Sequence, residues 1–350
     1  MKRAFFPGLN QLPIVRDDIP VPRCGDGEVL LRVKMGSICN LTDTHTISGL
    51  HPPHHLWAEG HFVNPPNAFP APVGHEGAAE ILEVGRAVKG FKPGDRVCTV
   101  HISDMFSEFT VGEPRYISRI PENMSWDEAA PIEMLTCVIP LIEETVRVGD
   151  TVAILGQGAS GLMATQCAKI AGAREIIVFE PKAFKRKIAL ELGASQAFDP
   201  CVVDPAETVL DLTHGEGVNT VIECVGIPET IKSTTKMIGK RKSITGGRGG
   251  TIGVFGACRA PVEFDFMELH WKGGRVFSVG GTEYGATQAA RERAVDLVAS
   301  GLFRMKPLLT HKFPLSKTPE AFDMIMNDRE PYIKVLIDPA MGDETRAYRL

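Results

Sequence analysis

The chain has 350 residues, of which 43% are hydrophobic and 23% are charged, and its formal net charge is -5. This length suits two domains of ordinary size, and this composition is typical of a water-soluble globular protein with a substantial core. The negative charge without a basic block argues against a nucleic-acid partner, and the lack of an apolar run of about 18 residues argues against a membrane span.

The N-terminal residues and the cysteines indicate a reduced, cytoplasmic protein. The basic start Met1-Lys2-Arg3 is followed by a short apolar segment that Pro7 interrupts, so no secretory signal is expected. The 8 cysteines are scattered along the chain. This distribution favours free thiols over a disulfide framework.

The first half of the chain predicts a β-rich domain in which reactive side chains follow a strand. A strand pattern over 28–35 leads to Cys39, and Thr42, Asp43 and His45 come soon afterwards. Taken by itself, a single cysteine here is more often a small buried apolar residue than a ligand. The motifs that follow favour the ligand.

Residues 49–74 form a long segment rich in proline and histidine. Its polar and aromatic residues are His51, His54, His55, Trp57, Glu59 and His61. Their loose spacing is a poor match to a second metal site. We therefore expect a loop that lines the substrate entrance or forms a subunit contact.

Gly74-His75-Glu76-Gly77 is the most informative stretch of the first half. Its flanking glycines permit a tight turn that directs the imidazole to a shared point, before a predicted strand over 79–84. A thiolate, an imidazole and a carboxylate are all ligands that zinc accepts. The sequence therefore predicts a metal site formed by Cys39, His75 and Glu76.

A helix is predicted from Pro131 to about Arg147, with Glu133 near its N-terminus. Glu133 has two interpretations: a metal-facing carboxylate, or a surface carboxylate that the helix dipole favours at this position. Cys137 lies four residues further along and shares a helical face with Glu133.

The second half of the chain predicts an α/β domain. Five short apolar segments alternate with helical segments, which is the repetition expected of a doubly wound parallel sheet. These predicted strands cover 151–155, 175–179, 220–224, 250–255 and 275–279. An amphipathic helix is predicted over 287–300, and a last strand over 333–337 is expected to return to the first domain.

A glycine-rich turn joins the first of these strands to a helix. Gly156, Gly158 and Gly161 have the spacing of a dinucleotide-binding turn, with the strand before and the helix after that this motif requires. Glycines there allow a pyrophosphate to approach the helix N-terminus, where free N–H groups favour anions.

Glu180 ends the second strand of this domain. A carboxylate at that position accepts hydrogen bonds from the adenosine ribose and repels a 2′-phosphate, which favours NAD over NADP. The cations Lys182, Lys185 and Arg186 follow closely and weaken this prediction. We interpret them as the solvated face of a helix.

Together these motifs resemble the medium-chain dehydrogenase/reductase superfamily, and within it the zinc-containing alcohol and polyol dehydrogenases. The similarity covers nearly the whole chain. Its carriers are Gly36–Cys39, Gly74–Gly77, Pro93–Val97, the turn from Gly156, Glu223–Gly226 and Ile333–Val335. The resemblance implies a GroES-like catalytic domain over 1–146, completed by 288–350, and a Rossmann domain over 147–287.

The resemblance also implies a ligand set. Cys39 and His75 match zinc ligands, and Glu133 stands where alcohol dehydrogenases have a third cysteine ligand, as in the sorbitol dehydrogenases. In that branch the position of Glu76 also binds the metal, and the later glutamate binds it directly or through water. We predict Cys39, His75, Glu76 and Glu133 as ligands, with Cys137 as an alternative ligand or a neighbour of the nicotinamide.

Further roles follow from the same resemblance. Thr42 and His45 match a proton relay, although the threonine follows the cysteine by three residues instead of the usual two. Lys334 matches a cation that meets the cofactor pyrophosphate, or is a surface lysine at a strand end. Val225, within the Glu223–Gly226 motif, is a predicted cofactor contact.

One departure from the family concerns a second metal. Many relatives carry a lobe with four closely spaced cysteines that hold a structural zinc, but here the stretch from Val97 to Phe109 contains only Cys98. A four-thiolate site is impossible there. We predict one catalytic zinc per subunit at most, and no structural zinc.

The sequence thus predicts a zinc-dependent oxidoreductase that transfers hydride between NAD(H) and a secondary alcohol or polyol, or the corresponding ketone. The alternatives are a zinc-free NAD(P)H-dependent quinone or enoyl reductase of the same superfamily, and a non-catalytic protein that only binds dinucleotide. The expected partners are a small-molecule substrate and further copies of the chain in a homodimer or homotetramer.

Overall fold

The computed structural model describes residues 1–51, 53, 67–240, 249–279, 287–343 and 345–347. It divides into two compact units. The first comprises Met1–Met134, Ala286–Gly301 and Met305–Leu350, and the second comprises Leu135–Gly285 and Leu302–Arg304. The units therefore separate after residue 134, within a helix, whereas the sequence placed the boundary after residue 146.

The first unit is rich in β-strands. In chain order its strands are β1 (Arg3–Phe6), β2 (Ile14–Arg16), β3 (Val29–Ser37), β4 (Ala71–Pro72), β5 (Glu76–Val84), β6 (Arg96–Thr99), β7 (Phe109–Gly112), β8 (Ile117–Arg119), β15 (Leu309–Pro314), β16 (Lys334–Asp338) and β17 (Arg346–Ala347). Its helices are α1 (Thr42–Ile47), α2 (Trp126–Ala129), α9 (Gln288–Ala299) and α10 (Thr318–Met326).

Two sheets organise the first unit. The larger has the strand order β17-β15-β16-β3-β5-β6-β8, with β7 also pairing to β3, and the smaller has the order β2-β1-β4. Alternate residues of β3 are buried, from Val29 to Met35, as expected for a strand with one face on a core. Burial of each such side chain contributes ~1.5–3 kcal/mol.

Three strand ends meet in the larger sheet and carry the predicted metal ligands. Ser37 of β3 pairs with Glu76 of β5, and on the other side it pairs with Leu336 of β16. The predicted return of the last strand to the first domain is therefore confirmed. This pairing places Lys334, at the start of β16, beside the residues that leave β3.

The second unit is an α/β structure. Its strands are β9 (Thr151–Leu155), β10 (Glu175–Phe179), β11 (Gln196–Phe198), β12 (Thr220–Glu223), β13 (Thr251–Val254) and β14 (Arg275–Ser278). Its helices are α3 (Ile132–Thr145, which begins in the first unit), α4 (Ala159–Ile170), α5 (Ala183–Glu191), α6 (Pro205–Leu212), α7 (Pro228–Met237) and α8 (Phe266–Lys272).

The sheet of the second unit is parallel throughout, in the order β11-β10-β9-β12-β13-β14. The doubly wound sheet predicted from the sequence is confirmed. The chain moves outward from β9 in one direction and from β12 in the other, so the strand order reverses between them. Ligands of open α/β sheets bind outside the carboxyl ends of strands at such a reversal.

Within the described ranges, none of the helices combines the length and the apolar character needed to cross a bilayer.

Candidate metal centre and dinucleotide site

Cys39, His75 and Glu76 converge in the first unit. One potential ligand atom from each lies within 4.8 Å of the others. All three side chains are buried, with exposed fractions of 7%, 3% and 0%. A buried thiol, imidazole and carboxylate this close together match the donor preferences of zinc.

The local backbone explains the convergence. Gly74 has φ +83, a conformation that favours glycine, and it turns the chain into β5. β5 begins at Glu76, earlier than the predicted start at Ala79, because Glu76 already pairs with Ser37. On the adjacent strand, β3 ends at Ser37, and Cys39 lies in the short link between β3 and α1.

Asp43 ties Cys39 and His75 together. One carboxylate oxygen accepts a hydrogen bond from the Cys39 amide at 2.9 Å, and the other lies 3.5 Å from His75 Nδ1. A metal-binding histidine usually directs its second ring nitrogen to a carboxylate in this way. The contact leaves Nε2 of His75 available to a metal ion.

The electrostatics of this cluster favour a positive charge. Burial opposes a charge on His75, yet its hydrogen bonds with Asp43 and Cys39 outweigh burial and raise its pKa well above the ordinary value. The backbone amide of Thr42 also donates to the Cys39 sulfur at 3.3 Å. Such surroundings suit a cation between the side chains.

Glu76 supplies the test of whether a metal fits. Its Oε2 accepts hydrogen bonds from Lys334 Nζ at 2.6 Å and from Ser37 Oγ at 2.7 Å. Its Oε1 is buried and has no hydrogen-bond partner among the described residues. Buried carboxylate oxygens nearly always have a partner, so this oxygen fits a metal ligand.

Lys334 is placed differently from the prediction. The side chain is fully buried in the first unit, where Nζ bonds to Glu76 and donates to the carbonyl oxygen of Ile38 at 2.7 Å. It is neither a surface lysine nor a side chain with an ammonium open to a pyrophosphate. The structure assigns Lys334 to the surroundings of the metal ligands.

Glu133 lies in the first turn of α3 and is 7% exposed. Burial raises its pKa to about 7, with the charges of Glu76 and Asp43 acting in the same direction and those of His75 and Lys334 opposing them. Glu133 is therefore within electrostatic reach of the cluster and is not a surface carboxylate. It is outside the tight group of three ligand atoms.

The other predicted residues near this site are spread more widely. Thr42 is buried beside Cys39, and His45 is half-buried on α1. Cys137 belongs to the second unit and is not in the three-residue group. Of the histidine-rich segment, His51 is buried, whereas His54, His55, Trp57, Glu59 and His61 lie outside the described residues.

Cys98 is a structural thiol. Its side chain is fully buried in β6, and its sulfur donates a hydrogen bond to the carbonyl oxygen of Ser118. Burial raises the pKa of this thiol to about 12. In the part of the chain that the structure describes, the single group of three suitable side chains is that of Cys39, His75 and Glu76.

The sequence did not identify the roles of Asp43 and Ser37. For Asp43 the sequence did contain one indication of contact with Cys39, because the two residues are four positions apart, about one helical turn. For Ser37 the sequence contained no such indication, because its hydroxyl reaches Glu76, 39 residues later, only through strand pairing.

The glycine-rich turn of the second unit has the geometry of a dinucleotide site. Gly156 has φ +83, and a side chain at Gly161 would collide with the carbonyl oxygen of Gly156. A Cβ at Gly158, in contrast, would meet nothing within 4 Å. Gly158 also begins α4 without a side-chain cap, so the helix N-terminus is open to an anion.

Glu180 and Val225 flank this turn. The Glu180 carboxylate is 5% exposed and accepts hydrogen bonds from the amides of Gln157 and Lys182 at 2.8 and 3.0 Å. Val225 is 43% exposed, and its side chain lies 2.7 Å from the Cβ position of Gly156. The structure thus brings the predicted cofactor residues of the second unit together.

Among the cations that follow Glu180, Arg186 has internal partners. Its guanidinium donates to the carbonyl oxygens of Glu180 and Pro181 and pairs with Asp199 at 3.0 Å. Arg186 is therefore half-buried and bound internally, which differs from the solvated helix face that the sequence predicted.

Two family profiles match the chain. The alcohol dehydrogenase GroES-like domain matches residues 25–209, and the zinc-binding dehydrogenase domain matches residues 159–300. The chain belongs to the zinc-containing medium-chain dehydrogenase superfamily. The family and fold class predicted from the motifs are confirmed, and the protein is an oxidoreductase of this type.

Individual relatives of this dehydrogenase are distant. The L-threonine 3-dehydrogenase of Bacillus licheniformis is 28% identical over 335 residues, which cover 88% of this chain and 90% of that protein. The sorbitol dehydrogenase of Halalkalibacterium halodurans is 29% identical over 350 residues, covering 91% and 94%. A zinc-binding dehydrogenase structure from Sinorhizobium meliloti, bound to NADP, is 26% identical with a TM-score of 0.81 and covers 97% and 99%.

Proposed function

We propose that this dehydrogenase transfers hydride between NAD(H) and a secondary alcohol or polyol, or the matching ketone, with one zinc ion per subunit. The observation that carries the proposal is the convergence of Cys39, His75 and Glu76, with a buried Glu76 oxygen that has no hydrogen-bond partner among the described residues. The rival zinc-free reductases need no such cluster.

Cys39, His75 and Glu76 would hold the zinc, and Glu133 would complete the ligand set directly or through water. When bound, a zinc ion acts as a Lewis acid that lowers the pKa of a substrate hydroxyl. Asp43 orients His75, and Lys334 with Ser37 fixes the Glu76 carboxylate, so that these ligands are held in place.

Thr42 and His45 would remove the hydroxyl proton. Thr42 is buried and adjacent to Cys39, whereas His45 is half-buried on the same short helix. A proton received by a buried hydroxyl needs a more exposed base to deliver it to solvent, and an imidazole suits that task near neutral pH.

The second unit would bind the dinucleotide at Gly156, Gly158 and Gly161, with Val225 over the turn. NAD is the proposed cofactor because Glu180 directly follows β10 and its carboxylate lies at the turn, where it accepts a hydrogen bond from the Gln157 amide. The Sinorhizobium meliloti relative was crystallised with NADP. Comparison of kcat/KM for NAD and NADP with one substrate decides this preference.

The substrate is proposed to be a secondary alcohol with a polar group on the neighbouring carbon. The relatives named for L-threonine and for sorbitol support this class, since both molecules contain such a unit. A panel of polyols and hydroxy amino acids, followed by NADH absorbance, would identify the substrate. Oxidation of NADPH by quinones or enones without zinc would instead support the rival reductase.

We propose that the protein is a cytoplasmic homodimer or homotetramer. The eight cysteines all lie in the described residues and form no disulfide, which supports a reducing compartment. Helix α8, which precedes the edge strand β14 in the chain, exposes Phe266, Met267 and Trp271 with exposed fractions of 71%, 63% and 74%. Apolar surface of this kind favours association between copies of the chain.

The decisive experiment is the replacement Cys39→Ala. We expect this variant to lose bound zinc and to lose NAD-linked alcohol oxidation by at least ~10³-fold, because the thiolate ligand is gone. Zinc content by elemental analysis and turnover are measured on the same sample. The matched control is Cys98→Ala, which removes an equally buried thiol outside the cluster and should leave zinc content unchanged. Full zinc content in Cys39→Ala would refute the assignment.

A further inference from the structure

The segment 103–108, between β6 and β7, lies against the backbone that carries His75 and Glu76. Met105 donates its amide hydrogen to the carbonyl oxygen of Gly74 at 3.2 Å, and Phe106 donates to Val73 at 3.2 Å. These bonds hold the two residues that directly precede His75. Met105 and Phe106 are both fully buried.

Side-chain packing adds to these bonds. A Cβ at Gly36 or at Gly74 would lie 2.6 Å from Phe106 Cδ1, and a Cβ at Gly77 would collide with Met105 Cε. The Phe106 ring therefore covers the bare backbone on both strands of the site, and Met105 covers the residue after Glu76. The absence of side chains at these glycines permits this close approach.

Phe106 is itself held from behind. Its ring packs against Phe322 of α10 with centroids 6.3 Å apart, and Phe322 packs against Phe6 of β1 with centroids 5.7 Å apart. The Ala4 amide of β1 also donates to the Phe106 carbonyl oxygen at 2.9 Å. The segment is thus fixed between β1 and the metal-site strands.

An ion pair fastens the segment to β1. Arg3 and Asp104 approach to 2.7 Å, with exposed side-chain fractions of 23% and 19%. Asp104 has φ +68, a left-handed conformation that is unfavourable for an aspartate without local support. The ion pair offsets this cost and places Met105 and Phe106, the next two residues, against Gly74.

We propose that Asp104, Met105 and Phe106, fastened by Arg3, are positioning residues that fix the backbone of His75 and Glu76 and thereby set the zinc affinity. This inference rests on the proposed function, since it takes Cys39, His75 and Glu76 as the ligands. The four residues act through the backbone of Gly74 and Gly77.

The test compares Asp104→Asn with Asp127→Asn. Asparagine accepts the left-handed backbone of Asp104, so that substitution removes the charge of the ion pair and little else. Asp127 forms an ion pair of similar burial with Lys312 elsewhere in the same unit, with N···O 2.6 Å and exposed fractions of 19% and 13%. It is the matched control.

Three quantities are measured: the zinc dissociation constant by competition with a chromophoric chelator, the Tm of the metal-free protein, and the absorption spectrum of the cobalt-substituted protein. We expect the zinc dissociation constant of Asp104→Asn to rise by ~10-fold or more, as for other residues that support metal ligands. The cobalt–thiolate bands should also change. In Asp127→Asn, Tm should fall by a similar amount while the zinc dissociation constant and the cobalt spectrum stay as in the wild type.

Phe106→Leu provides a second variant, with Phe6→Leu as its control in the same aromatic cluster. If the zinc dissociation constants of Asp104→Asn and Phe106→Leu change no more than those of their controls, the positioning role is wrong while the proposed function stands. A wild-type protein that binds no zinc overturns both. These outcomes differ in the wild-type measurement, so the two failures are distinguishable.

Discussion

Glu76 uses its two carboxylate oxygens for different purposes. Oε2 accepts hydrogen bonds from Lys334 and Ser37, while Oε1 is buried and has no hydrogen-bond partner among the described residues. A buried carboxylate is costly unless it is paired and hydrogen-bonded. Lys334 therefore makes a fully buried ligand tolerable when no metal neutralises it.

Replacement of Lys334 by methionine tests this compensation. We expect the free energy of unfolding of the metal-free protein to fall by ~3–5 kcal/mol, because the variant leaves a buried carboxylate without its counter-charge. Saturating zinc should reduce the loss, since a cation then balances Glu76. Chemical denaturation with and without zinc measures both effects.

Lys312→Met is the control for that variant. Its ion pair with Asp127 is 13% and 19% exposed, whereas Lys334 and Glu76 are both 0% exposed. The loss of stability should be smaller for Lys312→Met and independent of zinc. Equal losses in the two variants, unaffected by zinc, would contradict the compensation.

Residue chemistry was sufficient to choose the three side chains that converge, but not to predict their surroundings. Cys39, His75 and Glu76 could be chosen because few residue types bind zinc and each follows or precedes a strand with nearby glycines. The position of Lys334 could not be derived from the sequence. Lys334 reaches Glu76, 258 residues earlier in the chain, only because β16 pairs with β3. A lysine at a strand start carries no local sign of burial.

Among the elements, the glycine-rich turn separates binding from folding. Gly158 faces open space and has φ -68, so alanine is compatible with its backbone. Gly161 contacts the carbonyl oxygen of Gly156, where helix α4 approaches the end of β9. Within this motif we therefore expect Gly158 to be needed for dinucleotide binding and Gly161 for the packing of α4 against the turn.

Gly158→Ala and Gly161→Ala should have different effects. For Gly158→Ala we expect Tm to be unchanged and the dissociation constant for NAD to rise by ~10-fold, because the new methyl group occupies the approach of the pyrophosphate. For Gly161→Ala we expect a lower Tm, since α4 must move away from the turn. Calorimetry and NADH fluorescence titration measure these quantities. A lower Tm in Gly158→Ala together with an unchanged NAD dissociation constant would contradict the assignment of Gly158 to dinucleotide binding.

Element boundaries show where local patterns are insufficient. Five of the six parallel strands were predicted to within two residues, because continuous apolar runs have few other interpretations, whereas β11 (Gln196–Phe198) was missed because it is only three residues long. The start of β5 was missed because Gly77 and Ala78 have low strand propensity. They are strand residues only through pairing with Gly36 and Met35 on one side and Thr99 and Cys98 on the other.

At the scale of the whole molecule, the proposed metal site lies in one unit and the proposed dinucleotide site in the other. The three converging ligands belong to the first unit, and the turn at Gly156–Gly161 belongs to the second. Each ligand should therefore first stabilise the unit that contains its own binding residues.

Hydrogen exchange should show this division. Zinc added to the metal-free protein should slow exchange in peptides that contain Cys39–Asp43 and Gly74–Gly77. NAD should slow exchange in peptides that contain Gly156–Gly161 and Glu223–Gly226. In the second of these segments the Glu223 carboxylate accepts hydrogen bonds from the amides of Val225 and Gly226. Mass spectrometry with peptide resolution gives both maps. Zinc-induced protection confined to the glycine-rich turn would contradict the ligand assignment.

The pairing of β16 with β3 has a consequence for synthesis of the protein. While the ribosome is still adding residues before Lys334, a chain already contains every proposed zinc ligand, but the Glu76 carboxylate lacks its ammonium partner and the Gly36–Ser37 end of β3 lacks its β16 neighbour. Zinc captured at that stage would bind a site that is not yet rigid. Productive loading of the proposed zinc would therefore follow translation of the last strands, and zinc bound to a chain cleaved before β16 should exchange more readily than zinc bound to the intact chain.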